Sequence, residues 1–441
     1  MLQPKSIHRW PSIALAVGLG ITFFSAQGQV ERAPLPQPLT LQLALTVSLE
    51  SHPDLVPARA RLQAAQIRET QVDASYGFDA FVELQPRASS RASNSDTDFQ
   101  NDSRYGLVLD KRLTDFGRTT ARKEAVHAEI NARQAELIAR QDQRLLDVMN
   151  RYFSVILADY AYRARNEQLA LDYFRFSRMQ ERHERFEQFS ELEVAEKEAI
   201  YRKAYVDRHR ADLERRLTRH ELALTLGRPG ELSSELQMPD LSVYLEREIP
   251  IYTEIVDQAI ARSPIVQARR DDVAAARAKV DVAKKINSPV LSIQLEARDY
   301  YDTSFSSRDR YRANLKLIAP IFNGTARQKT AVALAQLELF EKEAELVGAE
   351  FELREILLNL LAELQVGQAE ISAAEAVENY RAYYQDRSRA MYEMEMRADF
   401  GDAQTAVAEA IFDMIRVEFQ QAMRWARFDV LLARPSLLIK E

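Results

Sequence analysis

Between Arg118 and Leu226 the chain runs for 109 residues without a glycine or a proline. Nothing there interrupts a helix, and the prevailing Ala, Glu, Arg, Leu and Gln are the residues that lose least on helix formation. Ala121, Ala125, Ala128, Ala132, Ala135 and Ala139 recur in alternating steps of four and three, and Asp142, Leu146, Met149, Phe153, Ile156 and Tyr160 continue the phase. A repeat of 3.5 residues winds helices into a left-handed supercoil, and alanines in the seam let backbones approach closely. One unbroken rod would be about 160 Å long, so a fold-back inside the stretch is expected. A plain coiled-coil scaffold satisfies the same pattern, and the flanking segments must decide.

With 12 glycines and 15 prolines among 441 residues, the composition points to long helices rather than compact globules. A net charge of -7, with no basic stripe, argues against nucleic acid as a partner. The absence of cysteine removes disulfides, thiol catalysis, thiolate metal sites and a lipid-bearing cysteine, so no lipid anchor is expected. Lys5, His8 and Arg9 precede an apolar run from Ile13 to Phe24 and then Ser25-Ala26-Gln27-Gly28, which reads as a signal peptide over residues 1–28. No other run approaches the roughly 18 apolar residues of a membrane helix, so export without a membrane helix is expected.

Ahead of the long stretch, helices are expected over Leu39–Glu50 and Asp54–Ala74, split at His52-Pro53. The period then changes to two. Phe78, Ala80, Val82 and Leu84 alternate with Asp79, Phe81, Glu83 and Gln85 in a strand over about 76–88. After a polar loop, Ser89–Ser103, a strand over 104–113 sets Tyr105, Leu107, Leu109 and Leu113 on one face, interrupted by Lys111, with Val108, Asp110 and Arg112 on the other. Asp115-Phe116-Gly117 turns the chain into the long helix. The whole order recurs about 207 to 211 residues later. Ser263-Pro264 matches His52-Pro53, strands are expected over about 289–299 and 309–318, and Ile321-Phe322-Asn323-Gly324 matches Thr114-Asp115-Phe116-Gly117 before a helix pair over 325–432. Two structural repeats follow, 29–246 with its helix pair 118–226, and 247–441, with Gly230–Pro250 as a linker.

Four alternating strands in an exported chain suggest a transmembrane β-barrel. An open sheet edge cannot face lipid, and closure needs about eight strands or more, so several chains must share one barrel. The apolar faces, with Leu107, Leu109, Ile293, Leu295 and Leu315, suit outer-membrane lipid. The charged faces, with Glu83, Asp110, Arg112, Glu296, Arg298 and Arg312, suit a water-filled lumen. A soluble antiparallel sheet with one wet face has the same alternation.

The doubled order of helix, helix, strand, strand and long helix pair, with Asp115-Phe116-Gly117-Arg118 and Ile321-Phe322-Asn323-Gly324 at the strand exits, resembles the TolC family of outer-membrane efflux proteins over essentially the whole mature chain. The fold class that follows is mainly α with a small β part. It comprises a long antiparallel α-helical coiled-coil tunnel and four strands per chain contributing to a trimeric barrel. The resemblance implies a homotrimer with twelve strands in the outer membrane. It further implies a periplasmic tunnel docking with a periplasmic adaptor (membrane fusion) protein and an inner-membrane pump of the RND or ABC type. In that reading the protein is a passive duct for efflux or type I secretion, not an enzyme.

The resemblance also implies a periplasmic tip in each repeat. Phe189 and Ser190 in the first tip, and Phe400 and Gly401 in the second, are the adaptor-contact candidates; Ser190 stands where Gly401 stands. Asp402, Asp399 and Glu191 are the entrance candidates. A second acidic position implied by the family falls on Thr405, so a double acidic ring departs from this sequence. Ser190 with Glu193 fits a capping box, and Asp399 or Asp402 could cap the returning helix as readily as line a lumen. His52, His127, His183, His209 and His220 lack metal spacing or a nearby nucleophile; no catalytic residue, metal or cofactor is expected. A coiled-coil scaffold without a pore is the alternative function.

Overall fold

The computed structural model describes residues 34–50, 52–89, 100–101, 103–231, 235–301, 309–321, 324–394, 396 and 399–434. The expected signal peptide, most of the two polar stretches after residues 89 and 301, Phe322, Asn323, Arg397 and Ala398 lie outside them.

The first repeat contains α1 (Leu41–Glu50), a 3-10 turn at Pro53–Leu55, α2 (Val56–Ala74), β1 (Phe78–Gln85), the short strands β2 (Ala88–Ser89) and β3 (Gln100–Asn101), β4 (Arg104–Thr114), α3 (Arg118–Phe186) and α4 (Glu191–Thr225). After the linker helix α5 (Ser242–Leu245) come α6 (Tyr252–Arg262), α7 (Pro264–Lys284), β5 (Val290–Tyr300), β6 (Tyr311–Ile318), α8 (Gly324–Glu393) and α9 (Phe400–Leu431). In order, α1, α2, β1, β4, α3 and α4 are answered by α6, α7, β5, β6, α8 and α9, while β2, β3 and the 3-10 turn have no counterpart among the described residues. The first helix starts at Leu41 rather than Leu39 because Leu39 pairs with Leu236 in a parallel bridge that ties the linker to the chain's start.

The helices α3 and α8 have 69 and 70 residues, so each is about 105 Å long. Each runs beside shorter helices that share its length. Along α3, α2 covers the half near the sheet, through Arg68–Glu129 and Arg61–Glu136 ion pairs. Beyond it α4 covers the far half, through Arg151–Glu221 and, at 2.7 Å, Arg219–Asp159. None of the twelve seam residues from Ala121 to Tyr160 is exposed. The alanines sit where α3 meets its neighbours most closely, and Met149, Phe153 and Ile156 fill the core at mid-length, where Phe153 stacks on Phe419 of α9 at 4.2 Å.

Three polar side chains, Arg144 and Tyr152 buried and Arg247 partly so, tie this waist together. Arg144 donates to Ser48 O at 3.1 Å, to Asp54 Oδ2 at 3.0 Å and to Thr225 O, joining α1, the 3-10 turn, α3 and α4. Tyr152 places its hydroxyl 2.7 Å from Leu39 O and 2.6 Å from Gln237 O. Arg247 of the linker grips the buried Asp429 with one nitrogen, 2.9 and 3.1 Å from the two carboxylate oxygens, while its guanidinium lies 4.2 Å from the Trp425 ring centre. A buried charge left without such partners costs several kcal/mol.

The four long strands form one antiparallel sheet in the order β1-β4-β5-β6, with β1 and β6 as its edges. At the exit from β4, Phe116 and Gly117 both adopt positive φ, 53° and 84°, which reverses the chain into α3. Asp115 bolts that corner. Its carboxylate accepts from the Tyr76 hydroxyl at 2.9 Å, the Thr119 N–H at 3.0 Å and the Thr119 hydroxyl at 2.5 Å. Burial alone would push this carboxyl up, but the hydrogen bonds and Arg112 outweigh it and hold the group below the usual aspartate value. In the second repeat Asn287 donates to Gly324 O and Gln328 to Lys284 O, so the same corner is closed by different residues.

Candidate functional site

Cross-strand partners share a face, so the register sorts the sheet into two sides. One side holds the rungs Val82-Leu107-Ala297-Tyr311, Ala80-Leu109-Leu295-Ala313 and Phe78-Lys111-Ile293-Leu315. Phe78, Val82, Tyr311 and Leu315 on it are each at least 70 % exposed. All five residues expected to face lipid lie here. From Tyr105 to Leu113 this face extends about 27 Å along the strand, or roughly 21 Å at a 40° tilt, close to the apolar band of an outer-membrane barrel.

The other side holds Glu83-Gly106-Arg298, Phe81-Val108-Glu296-Arg312, Asp79-Asp110-Gln294-Asn314 and Arg112-Ser292-Lys316. Glu83, Asp110, Arg112, Glu296, Arg298 and Arg312, the lumen candidates, share this face. Four of them form a ladder of alternating charge. Arg298 is 2.9 Å from Glu83 and 3.0 Å from Glu296, and Arg312 is 3.9 Å from Glu296. Arg104, at 3.4 Å from Glu83, extends the ladder and was not singled out from the sequence, where it reads only as the first residue of a strand. Arg112 turns instead to Asp115 at 3.8 Å, and Asp110 makes no ion pair among the described residues. Gly106 is needed where β4 meets β5: a Cβ there would lie 2.5 Å from Ala297 O.

At the far ends of the long helices the two tips are built differently. In the first, Glu187 takes a left-handed conformation (φ 49°), and the Phe189 carbonyl accepts from His183 Nδ1 at 2.6 Å. Ser190 and Glu193 form the expected capping box, with Ser190 N donating to Glu193 Oε2 at 2.8 Å and Glu193 N to Ser190 Oγ at 3.3 Å. Hydrogen bonds from the Ser190 N–H and hydroxyl hold the Glu193 carboxyl below its ordinary value. Glu191 opens α4 and is exposed.

In the second tip Asp399 stands at the N-cap of α9 without a side-chain capping bond, and instead accepts from the Tyr384 hydroxyl at 3.2 Å. Asp402 does not cap either. Its carboxylate pairs with Arg175 of α3, a residue 227 positions away that no sequence pattern marks. Arg397, expected to offset Asp402, lies outside the described residues. Gly401 packs on Leu171, where a Cβ would fall 2.5 Å from Cδ1, and Phe400 stacks on Tyr392 at 6.0 Å. Of the four adaptor-contact candidates, only Ser190 is exposed. Among the described residues, Phe186, Leu192, Tyr392, Met394 and Met396 are large apolar side chains that the tips expose.

Among the described residues no group of His, Asp and Glu could hold a metal ion, and no helix is long and apolar enough to cross a membrane.

This architecture is the TolC-type fold of a helical tunnel joined to a β-sheet wall, and the solved structures it superposes on are outer-membrane channels. The outer membrane channel CmeC of Campylobacter jejuni matches with a TM-score of 0.73 over 89 % of this chain and 85 % of that one, at 15 % identity. The outer membrane protein VceC of Vibrio cholerae gives 0.71 over 90 % and 96 %, at 16 % identity, and the MtrE outer membrane channel of Neisseria gonorrhoeae gives 0.71 over 91 % of each, also at 16 %. Among characterised sequences, Protein CyaE of Bordetella pertussis is 24 % identical over 396 residues, 83 % of this chain and 81 % of that protein. No family model matches the chain.

Proposed function

We propose that the protein is a passive exit duct of the outer membrane, a homotrimer whose three sheets close into one twelve-stranded barrel above a periplasmic helical tunnel. The observation that carries this reading is the sheet itself, with one face of exposed apolar side chains, one face of linked charges, and two open edges at β1 and β6. A four-stranded sheet cannot close, and unpaired edges are excluded from lipid, so β1 of one chain pairs with β6 of the next. In line with this, α8 has no buried side chain between Gly367 and Ser388, while Val377, Tyr380 and Tyr383 stand exposed on that stretch. Neighbouring chains cover it in the trimer. The tips dock with a periplasmic adaptor through Ser190 and the exposed Phe186, Leu192, Met394 and Met396, and the adaptor links the duct to an inner-membrane pump that selects the cargo.

The test uses the missing cysteine as an advantage. Cysteines at Leu107, Leu295 and Leu315 should resist a water-soluble thiol reagent in intact outer membranes, while cysteines at Glu83, Glu296 and Arg312 should react. The purified protein should have the native mass of a trimer and conduct ions in planar bilayers. A folded monomer that fractionates with soluble proteins would instead establish the pore-free scaffold.

A further inference from the structure

Lys111 is the one cation on the apolar face of the sheet among the described residues, and the duct as proposed gives it no task. The face's other charge, Asp299, sits at the opposite rim and is matched there by the Tyr105 hydroxyl at 3.1 Å and Arg310 at 3.8 Å. Lys111 has no carboxylate partner among the described residues. Its ammonium lies 4.3 Å from the ring centre of Phe78, directly across the β1–β4 pair. A cation over an aromatic ring gains about 1 kcal/mol, well short of what a charge in hydrocarbon loses.

Its depth on the wall explains how it is tolerated. Phe78 is the first residue of β1, and β1 and β4 meet the helical body at that end, so the Phe78–Lys111 rung lies one rung inside the periplasmic margin of the apolar band, which the Leu291–Leu317 pair continues toward the helices. A lysine there keeps its stem in hydrocarbon and its ammonium at headgroup level. On the next two rungs toward the outside, the small Ala297 and Ala313 leave a trough of about 410 Å³ walled by Leu107, Leu109, Leu295 and Tyr311, with Glu296 and Arg312 of the charged face also on its lining. Two rungs span about 14 Å of strand, or about 11 Å along the membrane normal at the same 40° tilt, most of one leaflet's share of a 30 Å hydrocarbon core.

We infer that Lys111, Phe78 and this trough form a seat for one anionic glycerophospholipid of the periplasmic leaflet, with its phosphate on the ammonium and an acyl chain along the trough. This rests on the outer-membrane reading above. The preference for an anionic lipid follows from charge. Glu296 and Arg312 of the trough lining belong to the charged face and pair there with each other, Glu296 also with Arg298, so on the apolar face the seat offers one cation, Lys111, and no carboxylate. A zwitterionic headgroup brings its own ammonium without a partner, whereas a phosphatidylglycerol headgroup is neutralised.

Native mass spectrometry of the purified trimer in micelles doped with equal phosphatidylglycerol and phosphatidylcholine of the same acyl chains tests the seat. Wild type should retain up to one phosphatidylglycerol per chain in preference to phosphatidylcholine. Lys111→Leu should lower that preference roughly five-fold, the discrimination one lysine at an anionic surface supplies. Lys111→Arg should keep it, and Ala313→Phe, which fills the trough, should reduce retention of both lipids. Lys111→Leu removes a charge from an apolar face, so it should insert at least as well as wild type. Equal retention of the two lipids by wild type, or an unchanged preference in an inserted Lys111→Leu trimer, overturns the seat alone. Wild-type protein absent from the membrane fraction overturns the seat and the duct together.

Discussion

Asp115 accepts three hydrogen bonds at the corner where a strand becomes a 69-residue helix, and its side chain is fully buried. Asp115→Asn keeps the shape but removes the charge and one acceptor oxygen, leaving a buried donor unmet. A loss of about 1–3 kcal/mol is expected at neutral pH, read by denaturant unfolding. The pH dependence has a definite sign. The folded carboxyl titrates below the unfolded value of 3.8, so its stabilisation is complete above that value and disappears as pH falls through the lower folded one. The gap between wild type and variant should therefore close in acid. Asp142 behaves in the opposite sense. It occupies the α3 seam, and burial pushes its carboxyl up. Its charge opposes folding above the unfolded value, so Asp142→Asn should stabilise the protein at pH 7, by at most about 1 kcal/mol, with the gain vanishing toward pH 3. A neutral-pH loss in Asp142→Asn would mean that the assembled tunnel supplies this carboxylate with a partner.

At the scale of elements, the tips and the α8–α9 crossing are the places where one residue decides geometry. Ser190→Ala removes the capping box and should cost about 0.5–2 kcal/mol locally, seen as faster hydrogen exchange at the Glu193 and Val194 amides with the rest of α4 unchanged. Gly367 of α8 is buried against α9. A Cβ there would fall on the Gln421 side-chain oxygen and the Arg424 guanidinium, and Gln421 Nε2 donates to Leu364 O at 3.1 Å across the same crossing. Gly367→Leu should push the helices apart and lower stability by about 1–3 kcal/mol. The capping box was legible in the sequence because its spacing is local, and so were strand faces, helix seam and doubling, each carried by a period within one element. Gly367 was not, since a glycine inside a helix looks the same whether it is tolerated or required. Nor were Arg144, Arg175 and Arg247, whose partners lie 81 to 227 positions away and leave no local pattern. Phe116 escaped for another reason: its left-handed backbone, whose N–H donates to the Thr114 hydroxyl, is one a phenylalanine does not favour.

For the whole molecule, the entrance is where symmetry would act on the Asp402–Arg175 pair. Both side chains are partly exposed, so within one chain the pair contributes at most about 1 kcal/mol. In a trimer whose tips converge, three such pairs ring one axis. Like charges about 8 Å apart repel by roughly 0.5 kcal/mol per pair in water and about 2 at an effective dielectric of 20. Arg175 decides how much of that repulsion is felt. Asp402→Ala should raise conductance in planar bilayers and weaken block by multivalent cations added on the periplasmic side, because the start of α9 is freed from α3 and a negative ring is lost. Arg175→Ala should also raise conductance, since the same tie is cut, but should strengthen cation block, because three aspartates are left without their guanidinium partners. The double variant separates tie from ring, with conductance as high as either single variant and cation block as weak as in Asp402→Ala. If both single variants shift block in the same direction, the pair faces away from the lumen and Asp402 takes no part in an acidic entrance.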